Sequence, residues 1–273
     1  MNIWIRRIIL TTPGLAKPYY SARSAYNLFR TVRAARDCFR DLGQYRKALV
    51  EYRPGERTTI RTLDGLTFTI RLNRKDAIVV AEVFLDKSYH RHCRLSAEPV
   101  VVDIGAYIGD FALLAAKRLH ARRVIAVEPS PSNFALLEKN VADNGFSDRI
   151  ELVKAAVTDG RPAMLNIDAP EDAQFRVSAY YNASGLKEVR GISLEELLGG
   201  VETVDLLKID CEGGEYLILQ NTPDEVLGHV QNLVFEIHEI DGFASQLAAV
   251  KRRLANLGFA LNTRGSLLSA TRL

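Results

Sequence analysis

The chain has 273 residues, of which 47% are hydrophobic and 25% charged. That length is one large domain, or a domain with an appendage, and the composition excludes a chain that is mainly disordered. No apolar run approaches the roughly 20 residues a membrane-spanning helix needs.

The net charge is only +3, but residues 1–57 hold 12 Lys/Arg against 4 Asp/Glu, so the remainder is mildly acidic. A basic segment on an acidic body suggests an anionic surface or substrate near the N-terminus, peripheral membrane contact included. The alternative is a solvated helix face. No basic stripe or binding motif occurs elsewhere, so nucleic acid is not an expected partner. Cys38, Cys93 and Cys211 are far apart and form no CxxC pair, so free thiols in a reducing compartment are expected. The start, MNIWIRRIILTTPG, has too short an apolar part for a signal peptide. The expected location is the cytoplasm.

Residues 20–50 read as a helix, with Ala25, Leu28, Val32, Ala35, Phe39 and Leu42 on one face. Gly43 is where the run can divide into two helices. Residues 58–72, TTIRTLDGLTFTIRL, read as a hairpin turning tightly at Asp64-Gly65. Residues 76–89 read as helix, and 1–95 as an appendage with a thin core. From Pro99 strands and helices alternate. Val100–Ile104 is an apolar run apart from Asp103, as buried parallel strands are. Residues 111–119 read as helix and 124–127 as strand. Ser130-Pro131 starts another helix, with Ser as cap and Pro at the first helical position. Residues 150–157 read as a third strand, and Ser193 to Glu196 as a capping box. Strands follow at 204–209 and 233–237. The end reads as an antiparallel hairpin turning at Arg264-Gly265. Repeated βα units imply a doubly wound α/β sheet.

In such sheets ligands sit at the carboxyl ends of the strands, near the topological switch. The first strand, loop and helix read VVDIGAYIGDFALLAA, residues 101–116. Gly105 and Gly109 are spaced G-x-x-x-G. Tyr107 stands where a dinucleotide fingerprint needs its second glycine, so NAD is not expected. Asp103 ends the strand under the loop and Asp110 begins the helix. Two carboxylates would repel a pyrophosphate and suit a ligand with a cationic centre. S-adenosylmethionine has both a sulfonium and an ammonium group, and its carboxylate can use amides near the helix start. Gly105, Ala106, Tyr107 and Gly109 are therefore candidate cofactor contacts. Glu128 ends the second strand, where a carboxylate can accept from both ribose hydroxyls. Ala156, on the third strand, is placed beside the adenine, with Asp159 as an acceptor for its amino group.

A second signal is LLKIDCEGGEYLIL, residues 206–219. A buried strand that delivers Lys208, Asp210, Glu212 and Glu215 is unusual, because charges are expensive inside. Alternation puts Lys208 and Asp210 on one side of the strand. The fifth strand then delivers Glu236 and His238 to the same cleft. Oxygen and imidazole ligands of this kind can also hold a divalent cation. Each residue alone could equally be a helix cap or an ion-pair partner.

These motifs together resemble the FkbM family of S-adenosylmethionine-dependent methyltransferases, over about residues 60–260. The resemblance rests on AEVFLDKSYH, VVDIGAYIGDFALLAA, VIAVEPSPSNFALLEKNV, the AAVTD strand end, and ISLEEL followed by VDLLKIDCEGGE. It implies a Rossmann-like seven-stranded methyltransferase sheet. The expected division is a basic helical cap over 1–57, a hairpin and helix packed on the core over 58–95, and a cofactor domain over 96–273. It implies O-methylation of a hydroxyl, on a sugar or glycan or on a secondary metabolite. By motif position Asp103, Gly105, Gly109 and Glu128 would contact the cofactor, and Asp210, Glu212 and His238 would line the substrate side. The family loop commonly reads DVGANIG, whereas Tyr107 occupies the asparagine position here. His238 is the first candidate for general base and Asp210 the second, with Glu212 orienting the acceptor or helping to hold a metal. Residues 169–190 read as a functional loop in which Tyr180 and Tyr181 could stack on a sugar. The alternatives are a non-catalytic binding module on the same sheet, or a methyltransferase for another acceptor class.

Overall fold

The computed structural model describes residues 35–73, 75–86, 89–166, 177–178, 186–211, 213–238 and 243–273. They divide into two units, Met1–Asp86 and Lys87–Leu273.

In the first unit, helix α1 spans Leu42–Val50 and is capped by Asp41, whose Oδ1 accepts from the Gln44 amide at 3.0 Å. The expected helical run over 20–50 is therefore interrupted before residue 42. Phe39 makes an antiparallel bridge to Thr62, and Gly43 lies inside α1 rather than at a break. The side chain of Asp41 can serve the backbone only at a helix start, which fixes the new N-terminus. Residues 20–34 lie outside the described residues. Strands β1 (Arg57–Arg61) and β2 (Thr67–Arg71) pair antiparallel, with Ile60 opposite Phe68. Their connection is Thr62–Leu66, in which Gly65 alone takes positive φ, at 93°. It is thus longer than the two-residue turn expected. Thr62 closes it by accepting the Leu66 amide at 2.9 Å.

Helix α2 (Lys75–Asp86) buries Ala77, Val80, Ala81 and Phe84, which share one face by helical spacing. Phe84 meets Phe68 of the hairpin edge-on, with centroids 5.6 Å apart. Beneath the helix start is a buried ion pair. Asp76 accepts from the Arg71 amide at 2.9 Å, and from Arg71 Nε at 2.9 Å and Nη2 at 3.1 Å. Asn73 donates to Asp76 at 2.9 Å and accepts its amide at 3.0 Å. Strand end and helix start are thereby tied through one carboxylate.

The second unit is built on a seven-stranded sheet. Its strands are β3 (Val100–Ile104), β4 (Arg123–Val127), β5 (Ile150–Val153), β11 (Leu206–Ile209), β12 (Asn232–Glu236), β13 (Phe259–Arg264) and β14 (Leu267–Arg272). Their order is β13-β14-β12-β11-β3-β4-β5, with only β14 antiparallel to its neighbours. Every residue of β3 is buried, Asp103 included. Flanking helices are α3 (Asp110–Arg118), α4 (Pro131–Asp143), α5 (Leu194–Leu197), α6 (Glu215–Asn221), α7 (Asp224–Gly228) and α8 (Phe243–Asn256). This is the doubly wound α/β architecture with seven strands. Connections leave β3 toward one edge and β11 toward the other, so the switch point lies between these two adjacent strands.

The third strand is shorter than its sequence suggests. It divides into β5 and β6 (Ala156–Thr158), and β6 leaves the main sheet to pair in parallel with β10 (Gly191–Ser193). The Ala155 amide turns back to Val153 O at 3.2 Å, which ends the ladder. Beyond it β7 (Ala163–Asn166) lies between β8 (Val177–Ser178) and β9 (Leu186–Val189). Part of the expected loop over 169–190 is therefore strand, and Tyr180 and Tyr181 lie outside the described residues. The closing hairpin turns at Gly265-Ser266, one residue later than expected. Among the described residues no helix is long and apolar enough to cross a membrane.

Removing one member of a buried ion pair leaves the other charge uncompensated, at a cost of about 3–5 kcal/mol. Asp76→Ala is expected to lose stability of that order in urea unfolding of the full chain. A loss below about 1 kcal/mol would show that water replaces the carboxylate at Arg71.

Candidate functional site

The site is assembled at the switch point. In the parallel register Lys208 of β11 lies beside Asp103 of β3. Both are buried, and Lys208 Nζ donates to Asp103 Oδ1 at 2.8 Å and to the Gly105 carbonyl at 3.3 Å. The ammonium also lies 5.2 Å from the Tyr89 ring and 5.7 Å from the Phe111 ring. Burial alone would lower its pKa, but Asp103, Asp210 and Asp110 together hold it above the usual lysine value. Lys208 therefore stays charged.

The carboxylates around it are not all balanced. Burial, together with the charge of Asp210, raises the pKa of Asp103 against the pull of Lys208, and Asp103 Oδ2 has no hydrogen-bond partner among the described residues. Burial pushes Asp110 up to about 7, again against the pull of Lys208. One ammonium faces three carboxylates, so the strand ends favour a cationic ligand.

The loop between β3 and α3 is held from several sides. Gly105 and Ala106 both donate to Val127 O at 3.0 Å, and Gly109 donates to Ala106 O at 2.8 Å. The Tyr107 amide donates to Glu128 Oε2 at 2.9 Å. These four amides are spent inside the protein, so a ligand carboxylate does not take them. Tyr107 has φ 52°, in the left-handed region that asparagine adopts more readily than tyrosine. Gly105 has φ 80°, and a Cβ there would lie 1.9 Å from the Asp210 carbonyl oxygen. The glycine thus lets the loop backbone pack against the end of β11. Asp210 continues the pairing of the two strands by donating its amide to Ile104 O at 3.0 Å.

Glu128, at the end of β4, is buried and accepts at both oxygens. Ser130 N donates to Oε1 at 2.9 Å and Asn133 Nδ2 at 3.3 Å. Burial lifts its pKa to about 7 despite these donors. Three bonds leave acceptor capacity on the carboxylate. Ala156 is less open than expected, because its amide already donates to Arg190 O at 2.8 Å. Asp159 is bound by Arg161 Nε at 2.9 Å, and hydrogen bonds from Arg161 lower its pKa.

The other half of the site lies at the ends of β11 and β12. Asp210, Glu236 and His238 each offer a ligand atom within 4.8 Å of the others. Two carboxylates and an imidazole suit a divalent cation. Asp210 Oδ2 accepts from the Tyr89 hydroxyl at 2.8 Å. His238 Nδ1 lies 2.9 Å from Glu215 Oε1, and Glu215 also accepts the Cys211 amide at 3.0 Å and the Gly213 amide at 2.9 Å. Glu215 is fully buried. With Nδ1 donating to this carboxylate, Nε2 is the imidazole atom that can accept a proton. Burial, then the charges of Glu215 and Asp210, push the Cys211 thiol well up, so it stays protonated rather than acting as a nucleophile. Glu212 lies outside the described residues.

The sheet thus brings Asp103, Asp110, Lys208, Asp210, Glu236 and His238 to adjacent strand ends. Two partners were given no catalytic or binding role by sequence. Glu215 is the last acid of D-C-E-G-G-E, which reads equally well as a favourable first-turn charge. Tyr89 lies in the AEVFLDKSYH segment, with no local pattern to mark it.

The Methyltransferase FkbM domain profile matches residues 103–261. The chain belongs to the FkbM methyltransferase family. The 31-O-demethyl-FK506 methyltransferase FkbM of Streptomyces tacrolimicus is 26% identical over 228 residues, covering 71% of this chain and 86% of that one. Methyltransferase sdnD of Sordaria araneosa is 24% identical over 204 residues, covering 63% and 78%. A solved FkbM methyltransferase from Methylobacillus flagellatus KT superposes with a TM-score of 0.47 at 15% identity. That superposition covers 71% of this chain and 53% of the other.

Two outcomes follow for this FkbM-family chain. Gly105→Ala drives a Cβ into the Asp210 backbone, whereas Gly145→Ala, at φ 70°, meets nothing within 4 Å. Gly145→Ala is expected to lose only the backbone cost of about 1–2 kcal/mol. Gly105→Ala is expected to lose clearly more in urea unfolding, and equal losses would show that the loop can move aside. The second concerns pH. Asp110 and Glu128 keep protons in the folded protein up to about pH 7, whereas unfolded carboxyls release them near pH ~4. The folded state binds more protons in that window, so stability without ligand falls as pH rises through it. Calorimetric scans are expected to give a higher Tm at pH 6 than at pH 8. Asp110→Asn should narrow the gap, and an unchanged gap would remove Asp110 as its source.

Proposed function

We propose that this chain is an S-adenosylmethionine-dependent O-methyltransferase acting on a hydroxyl of a sugar or a secondary metabolite. The observation that carries it is the Glu215–His238 contact beside Asp210 and Glu236, across the switch point from the Asp103–Lys208 pair. A cationic cofactor suits the carboxylate-rich end, and a neutral hydroxyl needs the base at the other. A relative whose name specifies a 31-O-demethyl acceptor supports oxygen as the receiving atom.

When bound, the cofactor's sulfonium supplies an activated methyl group. Asp103 and Asp210 face its cationic groups, and Glu128 accepts from the ribose hydroxyls. The loop residues Gly105, Ala106, Tyr107 and Gly109 shape the wall against it, with Ala156 on the adenine side. His238 takes the proton of the acceptor hydroxyl at Nε2 as the oxygen is methylated. Glu215 holds Nδ1–H and stabilises the imidazolium that forms. Glu212 orients the acceptor. General-base help of this kind contributes about 10²–10⁴-fold, and alignment of the reacting atoms supplies several kcal/mol more.

A second reading has its own observation, the donor set of Asp210, Glu236 and His238. If these groups hold a divalent cation, His238 is a ligand and Asp210 or the metal's field handles the proton.

Calorimetric titration with S-adenosylhomocysteine tests the proposal first. Saturable binding is expected, with Glu128→Gln weakening it about tenfold or more through loss of charged hydrogen bonds. His238→Ala is expected to leave that binding within about twofold. No binding by folded protein would favour a non-catalytic module, and loss of binding in His238→Ala would overturn the division of the site. Binding that is unchanged by EDTA and by added magnesium supports His238 as base. Binding that needs the metal supports the cation site.

A further inference from the structure

We infer that Tyr89 is a positioning residue that fixes the Asp210 carboxylate between the cofactor end and the acceptor end of the cleft. This rests on the proposed cofactor site and adds to it a residue from outside the matched domain, 121 positions away in sequence.

Three contacts fix where the Tyr89 hydroxyl points. The ring meets Phe111 edge-on, with centroids 5.5 Å apart at 64°. The Lys208 ammonium lies 5.2 Å from the ring centroid. The hydroxyl donates to Asp210 Oδ2 at 2.8 Å. The Asp210 backbone is already held, by its amide bond to Ile104 O and by the close approach of Gly105 to its carbonyl. What remains to be set is the rotation of its side chain.

Opposed fields act on that rotation. Lys208 attracts the carboxylate, and Asp103, Asp110 and Glu236 repel negative charge at the same strand ends. His238 and Glu236 flank it from β12, and Cys211 follows it in the chain. The Tyr89 hydroxyl adds a directed bond to one of the carboxylate oxygens.

Tyr89→Phe removes the hydroxyl and keeps the ring against Phe111 and Lys208. The probe is S-adenosylhomocysteine, titrated calorimetrically at pH 8. The proteins are wild type, Tyr89→Phe, Asp210→Ala and the double variant. Tyr89→Phe is expected to weaken binding about tenfold. In the Asp210→Ala background, which has no side-chain acceptor for the hydroxyl, the same change is expected to alter affinity less than about twofold. An effect that persists without the Asp210 charge marks Tyr89 as packing only and overturns the inference. So does a Tyr89→Phe protein that binds like wild type, or one that no longer folds. Absence of binding by folded wild-type protein overturns the cofactor site itself, and this inference with it.

Discussion

The buried contact between Lys208 and Asp103 is the constraint on which the site depends. It joins the two strands that flank the switch point, in direct register, at the level where the glycine loop begins. Ion pairs so placed are poor devices for stability, since an apolar pair of equal volume is often as good or better. What this pair supplies is position. The same ammonium reaches the Gly105 carbonyl, so the first turn of the loop is tied to β11 as well as to β3. Gly105 then needs to be glycine because the Asp210 backbone occupies the space of a side chain. Loop, strand end and acidic side chain are thus placed by one charged contact and one steric one.

Glu215 performs the corresponding task at the other half of the site. Its two oxygens accept the Cys211 and Gly213 amides, which would otherwise be unsatisfied at the turn into α6. The same carboxylate meets His238 from the neighbouring strand. Tyr216, the next residue, donates to the His238 carbonyl at 3.2 Å. A capping residue has therefore become the orienting partner of an imidazole. The arrangement costs little extra, because the turn requires an acceptor there in any case.

Much of this was legible in the chain. Apolar runs such as Val100–Val102 announce strands covered on both faces, and Ser130-Pro131 announces a helix start. Asp103, Asp210 and His238 stand at strand ends, where alternating βα units place ligand-facing residues. The features that were not legible are those decided by competition or by distance. The helix over 20–50 is broken ahead of α1 because Phe39 finds a strand partner in Thr62 and Asp41 caps anew. The run 150–157 divides because Ala156 pairs with a strand 35 residues later in the chain. Tyr89 meets Asp210 across 121 residues, and nothing near it in sequence marks the contact.

The two ends of the cleft ask opposite things of electrostatics, and the fold separates them by strand. At the proposed cofactor end, carboxylates must stay close enough to ionisation to meet a cation. Burial has moved Asp110 and Glu128 to about 7, where a bound positive charge is sufficient to ionise them. At the proposed acceptor end, an imidazole that serves as base must be neutral before it accepts a proton and stabilised afterwards. A buried carboxylate on Nδ1 serves both states, as a hydrogen-bond acceptor first and as a counter-charge second. Asp210 sits on the strand common to the two ends, with Lys208 two residues before it and Glu215 five residues after. Its orientation therefore sets where its charge is presented, and the Tyr89 hydroxyl donates the bond that holds one of its oxygens.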